Sequence, residues 1–271
     1  MLKKAGVVDA GAKGFVLFLE GVVKYLRTGK LVALEEVKDS SLFEHAHDHE
    51  ISRLRYCCET LLTDLQEEPE MIISELGSMG DSIAMAGGRK LLHLHIHTNE
   101  PTGVFHKLAQ MANISNVKVD DMRWQQQIQE KRKFQIGLIT DSAADFPVEL
   151  KDHYQINTIP IKLMFGDDIY LDKVTINSQK FFDKIEAGAV FPHSSVPDPA
   201  QINSTFDFVK THYKQVISIS ISSQLSGVHG LMKQAAEEKD NLTVFDSKQL
   251  SVSQGLIVLR IAEAIEAGMK Y

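Results

Sequence analysis

The sequence predicts an α/β protein in two parts, a small α/β module followed by a lobe built on a parallel sheet with helices on both faces. Residues 134–140 (FQIGLIT) form an almost unbroken apolar run ending in Asp141-Ser142, the form of a central parallel strand feeding a loop. From there onward, strand-like runs alternate with helical stretches of about 10 to 15 residues, the rhythm of crossover connections. Residues 51–119 instead show short apolar runs cut by turn signals. A chain of 271 residues with 44% hydrophobic content is long enough for two cores of ordinary size.

Taken in order, residues 14–26 (GFVLFLEGVVKYL) are about a third too short to span a bilayer and carry Glu20 and Lys24, which predicts a packed helix and no transmembrane segment. Its apolar residues cover most faces, which implies burial on more than one side. Residues 1–30 therefore read as the closing piece of a helical domain. Residues 31–50 are polar and charged, including His45, His47 and His49, and read as a solvated linker.

The module is assigned to residues 51–125. Within it, 91–97 (LLHLHIH) is a strand, Glu100-Pro101-Thr102-Gly103 breaks it, and 104–111 has helical spacing. Residues 120–133 are charged and glutamine-rich, an interdomain helix or linker, with 126–133 set apart as linker. The lobe takes 134–271. After its first strand it is read as a strand at 156–165, helices at 178–187 and 201–213, a strand at 216–220, a helix at 230–239, a strand at 242–245 and a helix at 254–267.

The balance of 29 Lys and Arg against 36 Asp and Glu gives a formal charge of -7. With no clustered basic stretch, nucleic acid is excluded as a partner. Cys57 and Cys58 are adjacent and point apart on an extended chain, so no structural disulfide is expected, which suits a reducing cytoplasm.

In open parallel sheets ligands sit beyond the carboxyl ends of the strands. Three hydroxyl-rich loops fall there: 140–145 (TDSAAD), 193–199 (HSSVPDP) and 220–227 (SISSQLSG). Backbone N–H groups at helix starts, with Ser or Thr hydroxyls, supply convergent donors for a carboxylate. The same residues also serve as ordinary helix N-caps. The runs ITDSAADFP, IPIKLMFGDDIYLD, SSVPDP, ISISSQLSG and VFDSKQLSVSQG follow one another as in the first lobe of DegV-family fatty-acid-binding proteins, which this half of the chain resembles.

That resemblance implies a cytoplasmic protein that encloses a long-chain fatty acid and holds its carboxylate with hydroxyls from two loops. The first falls on Ser194, beside Ser195. The second falls on Ser226, beside Gly227, with Ser223 the nearby rival; Asp141 and Ser142 complete the candidate set. Ser194 stands where the family has threonine, Val196 where glutamine is usual, and Val228-His229 where threonine and tyrosine are typical. The family's second lobe is expected to begin near Gly268.

On the strand at 91–97, His93, His95 and His97 share one face because side chains alternate. With a thiolate from Cys57, two of those imidazoles make a zinc site with an open position; a merely polar strand face is the other reading. The module also resembles the middle domain of the ATP-binding subunit of bacterial fatty acid kinase, in the dihydroxyacetone kinase-like group. Tyr56-Cys57, Gly80-Asp81-Ser82 and His95 to Thr98 carry the likeness. It implies Cys57, His95 and His97 as the zinc ligands, with His93 and Cys58 outside the set.

The opening residues 6–14 (GVVDAGAKG) resemble the last motif of that kinase's DAK2-type nucleotide-binding domain, which places Asp9 and Gly11 near the nucleotide of a parent protein. That domain holds ATP through magnesium on spaced aspartates that these residues do not contain, so ATP and Mg are expected only in an intact parent. The implied reaction transfers a phosphoryl group from ATP to a fatty acid, giving an acyl phosphate, with a kinase ATP-binding domain supplied in cis or in trans. A non-catalytic lipid carrier or regulator and a nonfunctional truncation are the alternatives.

Overall fold

A computed structural model describes residues 10–29 and 54–269, in two units that divide between Ile51 and Ser52. In the first unit, α1 (Ala10–Thr28) ends where Gly29 takes a left-handed φ of 64° and donates its N–H to the Tyr25 carbonyl at 2.7 Å. Glycine at that position closes a helix without the penalty a Cβ would bring. The helix forms as predicted, but Phe15, Phe18 and Leu26 are 62%, 63% and 77% exposed, so burial on several sides is not met among the described residues. Gly11 lies in the first turn of α1; Asp9 and the histidines at 45, 47 and 49 lie outside the described residues.

The second unit opens with β1 (Tyr56–Thr63), α2 (Pro69–Leu76), β2 (Asp81–Gly88), β3 (Leu91–Thr98), α3 (Pro101–Leu108) and β4 (Asn113–Asp121). The strands form an antiparallel sheet in the order β2-β3-β1-β4. Alternation divides its faces. Cys58, Leu62, Leu92, Leu94 and Ile96 point inward onto Ile72, Leu76, Phe105 and Leu108 of the two helices. Each fully buried Leu, Ile or Phe contributes about 1.5–3 kcal/mol, which fixes the strand register. Both helices start on proline, whose missing N–H costs nothing in a first turn. Helix α3 thus begins at Pro101, three residues ahead of the expected start.

Next, α4 (Met122–Glu130) is capped by Asp121, which accepts from Trp124 N at 2.9 Å. Its second half takes up residues the sequence assigned to a linker. Trp124 and Ile128 are the reason, because both bury into the core of the following lobe.

That lobe contains β5 (Ile136–Asp141), α5 (Val148–His153), β6 (Asn157–Ile159), β7 (Lys162–Phe165), β8 (Asp168–Leu171), α6 (Ser178–Glu186), β9 (His193–Ser195), α7 (Pro199–His212), β10 (Gln215–Ser220), α8 (Val228–Ala236), β11 (Leu242–Asp246) and α9 (Ser251–Glu266). Four strands run parallel in the order β11-β10-β5-β6. Helices α7 and α8 cover one face through Phe206, Val209 and Met232, and α9 covers the other through Val258 and Ala262. The α/β class with helices on both faces is what the alternating pattern predicted.

The expected strand at 156–165 is two strands in two sheets. Pro160 has no N–H to continue the β6 ladder. Beyond it, β7 joins an antiparallel sheet in the order β8-β7-β9. Phe165, Tyr170 and Ile176 bury against the core of the preceding module, so module and lobe share apolar packing. Among the described residues no helix is long and apolar enough to cross a membrane.

Candidate functional site

Strand β5 delivers Asp141 to the carboxyl end of the parallel sheet, where it is fully buried. It accepts from Ile221 N at 2.6 Å, Ala143 N at 3.0 Å and Gln254 Nε2 at 3.2 Å. Burial pushes its carboxyl above the usual range, although all three bonds pull the other way. Asp141 therefore ties the loop after β5 to the loop after β10 and to α9. Ser142 is also buried; its Oγ accepts from Ile161 N at 3.0 Å and faces the Asp172 carboxylate. The side chains of both residues are engaged by the chain itself.

Ser194 and Ser195 stand on β9, an edge strand, opposite Leu163 and Lys162 of β7. The sequence read this stretch as a loop; pairing with β7 makes its first three residues a short strand. Both serines are exposed, and neither hydroxyl bonds to a described residue. In the loop after β10, Ser226 is partly buried and its Oγ accepts from Val228 N at 3.4 Å, which leaves its hydrogen free to donate. Ser223 differs. Its Oγ donates to Asp246 Oδ2 at 2.6 Å and its N–H to Oδ1 at 3.2 Å. Those bonds hold Asp246 below the usual carboxylate range, the Ser223 hydroxyl being the main cause.

The structure brings the two hydroxyl loops together. A Cβ placed on Gly227 would lie 3.7 Å from Val196 Cγ1, so the segment following Ser194 touches the one following Ser226. Gln254 was not singled out in the sequence. It is fully buried in α9, bonds both Thr140 Oγ1 (3.1 Å) and Asp141, and locks the site's floor. Its only trace was its place in the VFDSKQLSVSQG run.

On the outer face of the module sheet, Cys57 pairs with His97 across β1 and β3, and Glu59 pairs with His95. Donor atoms of Cys57, His95 and His97 lie within 4.8 Å of one another, with Cys57 Sγ 3.8 Å from His95 Nδ1. His97 Nδ1 is buried with no hydrogen-bond partner, and the nearest Asp81 oxygen is 3.7 Å away. Burial, reinforced by His95, lowers the His97 pKa and favours the neutral imidazole a metal needs. Burial, with Glu59 and Asp120, pushes the Cys57 thiol up to about 11, so a bound cation is what would stabilise its thiolate. One sulfur and two nitrogens with an orphaned ring nitrogen fit a zinc ion with one open position. His93 shares the face but sits opposite Leu61, and Cys58 points into the core.

Residues 135–271 match the family described as "Uncharacterised protein, DegV family", and residues 53–129 match the FakA-like middle domain of fatty acid kinase. The first match covers just over half of the 271 residues, and the chain belongs to the DegV family. Protein DegV of Bacillus subtilis is 30% identical over 135 residues, 49% of this chain and 48% of its own length. A DegV domain-containing protein of Clostridium perfringens is 34% identical over 137 residues, 49% of each chain. The chain thus spans about half the length of the curated relatives it matches. Among solved structures, a fatty-acid-binding DegV family protein from Thermus thermophilus shares 31% identity and a TM-score of 0.48, over 50% of this chain and 49% of that one. DegV from B. subtilis, a fatty acid binding protein, shares 29% and 0.47 over the same fractions.

Proposed function

We propose that the lobe binds a long-chain fatty acid and that the hydroxyls of Ser194 and Ser226 hold its carboxylate. Membership of the DegV family supports the ligand class, and one observation carries the choice of residues. Where the loops meet, Ser194 and Ser226 keep uncommitted hydroxyl hydrogens, while Ser223, Asp141 and Ser142 are engaged within the chain. Ser195 and Gly227 flank the grip; the Gly227 position at the start of α8 adds the positive end of a helix.

The module in front supports a place in a fatty acid kinase-like system, in which ATP and fatty acid give an acyl phosphate. ATP and Mg²⁺ belong to a kinase ATP-binding domain acting in cis or in trans, with Asp9 and Gly11 as the DAK2-type remnant near it. Zinc on Cys57, His95 and His97 would leave one coordination position for water or a further ligand. The two free cysteines suit a reducing cytoplasm.

Calorimetric titration of the purified chain with oleate tests the reading. Hydrogen bonds to a charged group contribute about 1.5–3 kcal/mol, so Ser194→Ala and Ser226→Ala should each weaken binding at least about tenfold. Ser223→Ala should leave it unchanged. Unaltered affinity in the Ser194→Ala/Ser226→Ala double variant would overturn the assignment.

A further inference from the structure

A cleft of about 1080 Å³ opens where the module meets the lobe, lined by β4 from one and β6 from the other, each the edge strand of its sheet. None of the candidate carboxylate serines lines it. Its walls are largely apolar, with Trp124, Phe146, Ile156, Ile159 and Phe208 among them.

The polar groups of the cleft are unequally satisfied. Its five carboxylates, Asp120, Asp121, Asp145, Asp172 and Asp198, each meet a cation, a hydroxyl or a backbone N–H. Of its cations, Lys118 pairs with Asp120 at 2.8 Å and Lys173 pairs with Asp145. Lys151 is the exception: its ammonium makes no ion pair or hydrogen bond to any described residue. Burial pulls its pKa below the usual lysine value, and the Asp121 charge does not restore it. A partly buried, unpaired cation among apolar side chains is costly when empty and is relieved by an anionic guest with an apolar body.

We infer that this cleft is a second ligand site, separate from Ser194 and Ser226, which takes an organic monoanion with an apolar body, its acid group on Lys151. A cationic or uncharged amphiphile of the same size leaves Lys151 unneutralised and is disfavoured.

Trp124 is the chain's single tryptophan, so its emission reports this cleft and not the serine site. The test titrates dodecanoate, below its micelle concentration, into the full chain carrying Ser194→Ala/Ser226→Ala, and follows tryptophan fluorescence. A saturable change is expected in that background. Adding Lys151→Met should weaken it at least about tenfold, by loss of a charge-assisted bond. Dodecyltrimethylammonium should give no saturable change. Without ligand, Lys151→Met should melt at a higher temperature than its parent, because an unpaired, partly buried charge has gone, which separates a ligand role from a scaffolding one. No saturable response, an equal response to the cationic amphiphile, or an unchanged titration in Lys151→Met would each overturn the inference. Failure of the serine reading is distinguishable, since oleate affinity would then be insensitive to the two serines and lost with Lys151→Met.

Discussion

Arg55 grips Asp152 with two parallel hydrogen bonds, Nη1 to Oδ2 at 2.9 Å and Nη2 to Oδ1 at 2.7 Å, joining the start of the module to the end of α5 in the lobe. The same guanidinium reaches Asp121 Oδ2 through Nε at 2.9 Å and Nη2 at 2.7 Å. Arg55→Ala should destabilise the chain by about 2 kcal/mol, read from the urea midpoint, because two carboxylates lose a bidentate partner. Arg55→Lys should recover less than half of that loss, since a single ammonium cannot fork onto both. A lysine variant as stable as wild type would show that only charge matters here.

The donor set on the module sheet makes a metal prediction. Wild type should bind about one zinc per chain by elemental analysis, and cobalt should give a thiolate charge-transfer band. Cys57→Ser and His97→Ala should lose both signals, while His93→Ala should keep them. Chelation should lower the melting temperature of wild type and leave Cys57→Ser unmoved. A band that survives Cys57→Ser would reject the assignment.

Two glycines on helices should respond with opposite sign. A Cβ on Gly255 would stand 2.0 Å from the Asp145 carbonyl oxygen, and backbone cannot yield by that much. Gly255→Ala should cost roughly 2–4 kcal/mol and drag Gln254 off Asp141. Gly230 in α8 has nothing within 4 Å of its missing Cβ. Gly230→Ala should therefore gain about 0.5–1 kcal/mol in denaturant titration.

Acid should act through Asp145 and Asp152. Burial alone would raise both, but Lys173 and Ser251 hold Asp145 below the usual carboxylate range, and Arg55 does the same for Asp152. A carboxyl with a depressed folded pKa stabilises the fold above its unfolded value of about 4, and that stabilisation is lost as pH falls through the folded value. Asp141 and Asp172, whose pKa values are raised, work in the opposite direction, so wild type alone is a poor readout. The stability gap between wild type and Asp145→Asn is the useful one: it should be largest near neutrality and narrow below about pH 4. A gap independent of pH would refute the pairing.

Much of the lobe was legible because parallel strands buried on both faces read as runs rich in Ile, Leu and Val: β5, β10 and β11 have that form, with Ser218 and Ser220 of β10 buried among the isoleucines. In β3 the alternation of His93, His95 and His97 with Leu92, Leu94 and Ile96 named the outer face before any fold was known. The misses share one cause, dependence on distant partners. Asp141 looked like a ligand donor; its acceptors are spent on Ile221 and Gln254, 80 and 113 residues along the chain. Ser226 stood ahead of Ser223 by resemblance alone; the Asp246 carboxylate that occupies Ser223 is a contact the sequence does not show. The edge strand β9 is three residues long with two serines, too short to show a period. The glutamines of α4 outnumbered the two buried side chains, Trp124 and Ile128, that hold it in place.

Because Cys57 faces His97 while the next pair, Cys58 and Ile96, faces the core, the two surfaces of this ribbon share a single phase. Losing one residue from β3 would send histidines into the interior, and losing one from β1 would do the same to its polar side chains; either is a folding failure. Losing two would return every apolar side chain to the correct surface yet carry the thiol past its imidazole. The Cys57, His95 and His97 cluster is thus the feature that slippage in steps of two erases silently, leaving a sound core beneath an altered outer surface.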